Sequence, residues 1–229
     1  MKKITVLIDA DSIIFASAVT SETFFDAKDK MDYKINEILD LMASLYEIEG
    51  FSVFSGSKGN FRKYITDEYK ANRRDQELPE HLNALHGHSK EYWNAKYTYG
   101  VETDDLLASY WKKLTDEGKN VVIVAIDKDY KQFPSAIYNY NRKEWLKISE
   151  LDALKNFYTQ MIVGDSADNI KVCKGKGKAF ANKLLEPLTS KYQIVKAVYD
   201  VYREIYKGKA KLKYITTYNL LKLRTDVLR

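Results

Sequence analysis

Apolar residues fall into three short, nearly unbroken runs separated by stretches with helical spacing. Ile4-Thr-Val-Leu-Ile8 is one such run, the pattern of a strand covered on both faces. From about Tyr33 to Glu47 the apolar positions Ile35, Ile38, Leu39, Leu41, Met42 and Leu45 recur as on one face of a helix. Gly50 closes that helix, and residues 51–54 read as a short second strand. A helix from about Glu102 to Leu114 precedes a third strand over Val121–Ile126. Ser149-Glu-Leu-Asp152 is a capping-box variant that opens a helix running to about Val163, and beyond Gly164 the pattern is helical throughout. Strands alternating with helices predict an α/β fold with a mostly parallel sheet flanked by helices. We expect a catalytic domain over residues 1–163 continuing into a helical region over 164–229, with no repeat and no proline-rich linker between them.

Composition narrows the class. With 45% hydrophobic and 30% charged residues the chain is globular and not disordered. It has no apolar run of roughly 18 residues, so no membrane span is expected. The opening Met1-Lys2-Lys3 with its apolar run has the look of a signal peptide, but the run stops at Asp9 and Asp11 and reads better as a buried strand. Cys173 is the single cysteine, which excludes an internal disulfide and fits the cytoplasm, or the host cytoplasm for a phage-encoded chain. A formal charge of +5 says little until the acids are located.

The acids stand where elements end. Asp9 and Asp11 follow the first strand, Asp127 and Asp129 the third; Glu102, Asp104 and Asp105 open a helix, and Asp165 and Asp168 follow one. Ligands of open α/β sheets bind at the carboxyl ends of strands, so these groups are expected to face one crevice. Any one group has an ordinary explanation in helix-dipole or turn chemistry, and the argument rests on all four together. Converging carboxylates raise one another's pKa unless cations intervene, and oxygen-rich sites suit Mg²⁺ or Mn²⁺. Two such ions about 4 Å apart are suited to hydrolysing a phosphodiester. Gathering these acids in one pocket also leaves the rest of the surface strongly basic, which fits a polyanionic substrate.

In this order the motifs resemble the 5′ nucleases, the family of flap endonucleases and of the 5′-exonuclease domains of bacterial DNA polymerases I. The resemblance is carried by Leu7-Ile-Asp9-Ala-Asp11, Phe61-Arg62 with Glu68-Tyr-Lys-Ala-Asn-Arg73, and Leu78-Pro-Glu80. Gly100-Val-Glu-Thr-Asp-Asp105, Ala125-Ile-Asp-Lys-Asp129 and Gly164-Asp-Ser-Ala-Asp-Asn-Ile170 complete it. The Asp-x-Asp opening, the Asp-Lys-Asp motif and Tyr214–Asn219 look most like phage T7-like 5′→3′ exonucleases. The resemblance implies a resolvase/PIN-like scaffold with a helical arch over about 60–99 and a C-terminal helix–hairpin–helix region. It implies one metal held by Asp9, Glu102, Asp104 and Asp105, and a second set formed by Asp127, Asp129, Asp165 and Asp168. Asp11 either supports that cluster or caps the next helix. Gln160 stands where some relatives carry lysine.

Arg62, Lys63, Lys70, Arg73 and Arg74 would by default form a solvated charged face, but their interleaving with Phe61, Tyr64 and Tyr69 shifts the reading toward single-strand contact. By resemblance Arg62, Tyr69, Lys70 and Arg73 contact DNA, and Lys70 and Arg73 act catalytically on the charge of the scissile phosphate. His81, His86 and His88 have no cysteine or fourth ligand beside them, and Gly87 breaks any helix there, so they are expected as polar arch residues and not a zinc site. Gly175, Lys176, Gly177 and Lys178, just before a helix, form either a tight basic turn or a phosphate-gripping hairpin. The resemblance favours the hairpin, binding duplex backbone with the help of K⁺.

The expectation is a monomeric, metal-dependent 5′→3′ exonuclease or 5′ flap endonuclease acting on DNA with 5′ ends or flaps, and on RNA primers of RNA–DNA hybrids. The rivals are a non-catalytic branched-DNA-binding module and a PIN-type single-strand ribonuclease.

Overall fold

A computed structural model of the chain describes residues 1–228. Its centre is a five-stranded sheet in the order β2-β1-β3-β4-β5, comprising β1 (Lys3–Asp9), β2 (Glu47–Phe54), β3 (Val121–Val124), β4 (Ala136–Asn139) and β5 (Glu144–Lys147). The first four strands are parallel, and β5 alone runs antiparallel, against β4. The expected mostly parallel α/β sheet is therefore observed.

β1 feeds both faces, as the two-residue period of a strand requires. Ile4, Val6 and Ile8 pack with α1 (Asp11–Val19), α2 (Phe24–Leu45) and α4 (Leu82–Tyr92). Leu7 points the other way, to Leu106, Leu107 and Trp111 of α5 (Thr103–Asp116) and to Leu223 near the end of the chain. A short α3 (Arg62–Ile65) lies between β2 and α4. A third cluster joins α6 (Glu150–Val163) to α7 (Lys178–Leu185), α8 (Lys191–Tyr206) and α9 (Ala210–Leu221). Phe157, Tyr158, Met161 and Ile162 belong to this third cluster, so a division after residue 163 runs through one core.

Three local expectations are corrected. The first long helix is Phe24–Leu45, and Gly50 lies inside β2 instead of ending a helix. β2 starts at Glu47; as the sheet's edge strand it exposes alternate residues, and this dilutes the apolar signal on which a strand is recognised. α4 runs straight through Gly87, because burial of Leu85 and Ser89 against the body outweighs glycine's helix penalty of about 1 kcal/mol. With that docking the second half of the 60–99 segment packs on α1 and α2, and residues 72–78 are exposed.

Candidate active site

Four pieces of backbone bring the acids together. Asp9 ends β1 beside Ala10, whose amide bonds to the Phe54 carbonyl of the neighbouring strand. Glu102 caps α5 in a reciprocal capping box with Asp105, which fixes Asp104 between them. Asp127 caps the short turn after β3 and accepts the Asp129 amide at 2.8 Å. Asp165 is held by a tight loop after α6, in which its amide and carbonyl pair with Ile170 at 2.9 and 2.6 Å. Gly164 enters that loop at φ +79°, where an added Cβ would collide with the Ile170 carbonyl.

These segments meet at the carboxyl end of the sheet. Asp9, Asp11, Glu102, Asp104 and Asp127 line one open cavity of about 640 Å³ together with Lys70, Arg73, Lys128 and Arg142. Ligand oxygens of Glu102, Asp104 and Asp105 lie within 4.8 Å of one another. The remaining acids join by contact. Lys70 bridges Glu102 and Asp168, the Tyr69 hydroxyl donates to the same two carboxylates at 2.7 and 2.9 Å, and Lys128 pairs with Asp165 at 2.9 Å.

Charge is not balanced there. Burial, then Asp11 and Asp127, push Asp9 up to about 7, although the Tyr130 hydroxyl donates to it at 2.7 Å. Burial, then Asp127 and Asp165, push Asp129 to about 7 as well. Asp104 is raised by burial and by Glu102 and Asp105. Burial also acts upward on Glu102, but Lys70, Tyr69 and Arg62 together outweigh it and hold this carboxyl low. Several carboxylates thus sit where their own neighbours oppose ionisation, a donor set that hard divalent cations fit.

Two expected DNA contacts are corrected. Arg62 is 1% exposed; its guanidinium is spent on Asp105, Glu102 and the carbonyls of Leu220 and Lys222. Tyr69 is 3% exposed and faces the acids. Both hold the site from behind and cannot reach a substrate strand. Asp105 comes to the cluster with both oxygens engaged, by Arg62 and by the amides of Glu102 and Arg224. Asp11 accepts the Gly56 amide at 2.9 Å, so it ties α1 to the chain after β2 and does not cap its own helix. Arg73 keeps an exposed guanidinium on Asp168 at 3.2 Å.

The histidines are apart from one another in role. His88 bonds the Asp32 carboxylate at 2.9 Å, His81 the Glu22 carbonyl at 3.3 Å, and the Nδ1 of His86 is buried without a partner, 3.9 Å from Asp11. The hairpin is at the surface: Gly175 has φ +80°, the Lys176 amide bonds to the Cys173 carbonyl at 2.9 Å, and Gly177 caps α7, with Lys178 exposed.

Gln160, which stands where some relatives carry lysine, donates from α6 to Asp129. Two side chains escape the sequence reading: Lys128 pairs with Asp165, and Arg142, on the β4–β5 turn, lines the acid cavity with no side-chain partner among the described residues. Lys128 stood in plain view within Asp-Lys-Asp; nothing in the local sequence marks Arg142, which only the hairpin's return brings to the pocket.

Residues 4–159 match the family model of the 5′–3′ exonuclease N-terminal resolvase-like domain. The chain belongs to this family. It is 29% identical over 191 residues to a DNA polymerase I of Rhizobium leguminosarum, covering 77% of this chain but only 18% of the polymerase. A 5′–3′ exonuclease of Buchnera aphidicola is 26% identical, over 87% of this chain and 74% of that protein. The flap endonuclease Xni of Photorhabdus laumondii is 28% identical, over 73% and 72%. Among solved structures, a bacteriophage T5 flap endonuclease in a pseudo-enzyme–product complex with DNA and metal ions shares the fold at a TM-score of 0.66 and 15% identity, over 96% of this chain and 99% of that one. The catalytic core of Rad2 with a DNA substrate follows at 0.54 and 13%, over 99% and 74%. No helix of the described residues is long and apolar enough to cross a membrane.

Proposed function

We propose that this chain is a divalent-metal-dependent 5′ nuclease, acting as a 5′→3′ exonuclease and 5′ flap endonuclease on DNA. One observation carries the reading: acids from three distant segments line one cavity and those of a fourth, Asp165 and Asp168, are tied to it through Lys128 and Lys70, with Asp9, Asp104 and Asp129 held above their ordinary range by burial and by neighbouring acids. Asp9, Glu102 and Asp104, with Asp105 behind them, are the first cation set; Asp127, Asp129, Asp165 and Asp168 are the second. Bound Mg²⁺ or Mn²⁺, in two or more ions, supplies an acidified water and neutralises charge developing on the phosphate.

The protein's own groups do the rest. Lys70 and Arg73 are positioned to follow the scissile phosphate as its charge grows, since both already sit on carboxylates that cations would satisfy. Arg142 needs no such release and takes the phosphate first. Tyr69 and Tyr130 stay protonated, raised by burial and then by the facing acids, and orient Glu102, Asp168 and Asp9 as donors. The Gly175–Gly177 hairpin and the first turn of α7 grip duplex backbone, with K⁺ as the natural counter-ion of their carbonyls and phosphate. We assign the catalytic region to 1–163 and the DNA grip to 164–229, two functional regions that share the core between α6 and α7–α9, with RNA–DNA hybrids as further substrates, a monomer as the working form and the cytoplasm as its place.

End-labelled duplex, 5′-flap, RNA–DNA hybrid and single-stranded RNA substrates test this together. Cleavage near a 5′ end of DNA that needs Mg²⁺ or Mn²⁺ and stops in EDTA is expected. Tight flap binding without turnover would make the chain a binding module, and preference for single-stranded RNA a PIN-type ribonuclease.

A further inference from the structure

The Gly175–Gly177 hairpin has a neighbour of the same composition. Lys207-Gly208-Lys209 links α8 to α9 and Ala210-Lys211-Leu212-Lys213 is the first turn of α9; the four lysine side chains are exposed with no ionic or hydrogen-bonded partner among the described residues. Lys70 and Lys128, which line the acid cavity, are tied to its carboxylates, whereas these four are open to an external ligand. The two basic segments are adjacent. Lys176 of the hairpin lies 3.6 Å from Glu204, in the last turn of α8, and Lys207 follows directly on that helix. Between the row and the loop that carries Asp168 is a cavity of about 220 Å³, with Lys171 and Lys213 on its wall beside Asn169 and Thr216. Glu68, the acid on its rim, is engaged by Asn169 at 3.3 Å. Lys207 itself holds φ +48°, a backbone region that disfavours any residue with a Cβ, yet a lysine occupies it and glycine comes one residue later.

We propose that Lys207, Lys209, Lys211 and Lys213, together with Lys171, form a second grip on the backbone of duplex DNA, parallel to the hairpin and leading toward the acid pocket. Exposed positive charges gathered at one end of a helix pair, on more than one side of α9, are relieved by a polyanion that releases its counterions on binding. Lysine on flexible stems, with threonine and asparagine amide groups at the cavity, suits phosphate oxygens of any sequence and not base edges. The proposal deepens the nuclease reading and depends on it only for the identity of the polyanion.

The test is binding of a labelled blunt duplex across a salt series in EDTA, so that hydrolysis plays no part. The variant K207Q/K209Q/K211Q/K213Q is compared with the charge-matched control K2Q/K112Q/K113Q/K119Q, which removes lysines from α5 and from the amino ends of strands. Expected is at least a roughly tenfold loss of affinity at low salt for the first variant alone, with a salt slope shallower by about 0.9 for each contact removed. Lys207→Gly is a second probe: it suits the backbone better, so the protein unfolds no more easily, while the slope still falls by about one contact. Equal effects in the two quadruple variants, or an unchanged slope in the first, overturn the proposal. A chain that cleaves flaps with an unchanged slope refutes this grip alone. A chain that cuts nothing yet shows the slope change refutes the nuclease reading and keeps the grip.

Discussion

Arg62 and Asp105 form a two-pronged ion pair beneath the acid pocket, Nη1 to Oδ2 at 2.6 Å and Nη2 to Oδ1 at 2.8 Å, with neither side chain accessible to solvent. Removing one partner of such a pair strands the other charge in the interior. Asp105→Asn is therefore expected to lose stability by roughly 3–5 kcal/mol in urea unfolding. Arg62→Lys should also destabilise, because an ammonium cannot match both oxygens of Asp105 and the two carbonyls.

Asp104→Asn and Asp129→Asn should behave oppositely. Each removes a carboxylate that its neighbours disfavour, so the metal-free protein should melt no lower than the parent. Metal-dependent cleavage of 5′-ended duplexes or flaps should nevertheless disappear. Retained activity in either variant would remove the cation assignment.

The same crowding gives a pH dependence. Asp9 and Asp129 are raised from 3.8 to about 7, so between those values the folded protein holds more protons than the unfolded chain. Stability in EDTA should therefore fall as pH rises from about 4 to about 7. His86, lowered mainly by burial, works the other way over the upper part of this window but is a single group against several acids. Mg²⁺ at pH 8 should restore the lost melting temperature, by an amount that grows with its concentration. A melting curve indifferent to both pH and Mg²⁺ would contradict the charge imbalance.

Arg142→Gln is expected to raise KM for flap DNA roughly tenfold, the cost of about one charge-assisted phosphate contact, with little change in melting temperature. Steady-state kinetics and a thermal melt on the same preparation decide it; an unchanged KM would show that the β4–β5 turn does not meet the substrate.

Gly164→Ala should destabilise by more than about 2 kcal/mol, since the residue combines a positive φ with a Cβ aimed at the Ile170 carbonyl. Asp165 rides on this loop, so activity should fall along with stability. Chemical denaturation measures the first effect and the flap assay the second.

The legible parts of this molecule are those where one residue type has one use. Apolar runs ending in acids marked β1 and β3 and the edge where Asp9 and Asp127 stand. The basic block was ambiguous, because Arg62 and Tyr69 follow the same pattern whether they face a nucleic acid or buried carboxylates of their own chain. Their partners, Asp105 and Glu102, are 43 and 33 residues away in sequence, and no local rule connects them. β2 is longer than its apolar pattern because the exposed edge dilutes that signal, and α4 continues through Gly87 because the packing of Leu85, which no local pattern shows, outweighs the glycine.

The carbonyls that seat Arg62 belong to Leu220 and Lys222, and Asp105 also takes the amide of Arg224. All eight acids precede these residues, the last being Asp168. During translation, then, every carboxylate leaves the ribosome well before the pieces that lock the floor beneath them. A nascent chain in this interval holds Arg62 on Asp105 and Glu102 alone, without the three backbone groups that complete the floor of the pocket.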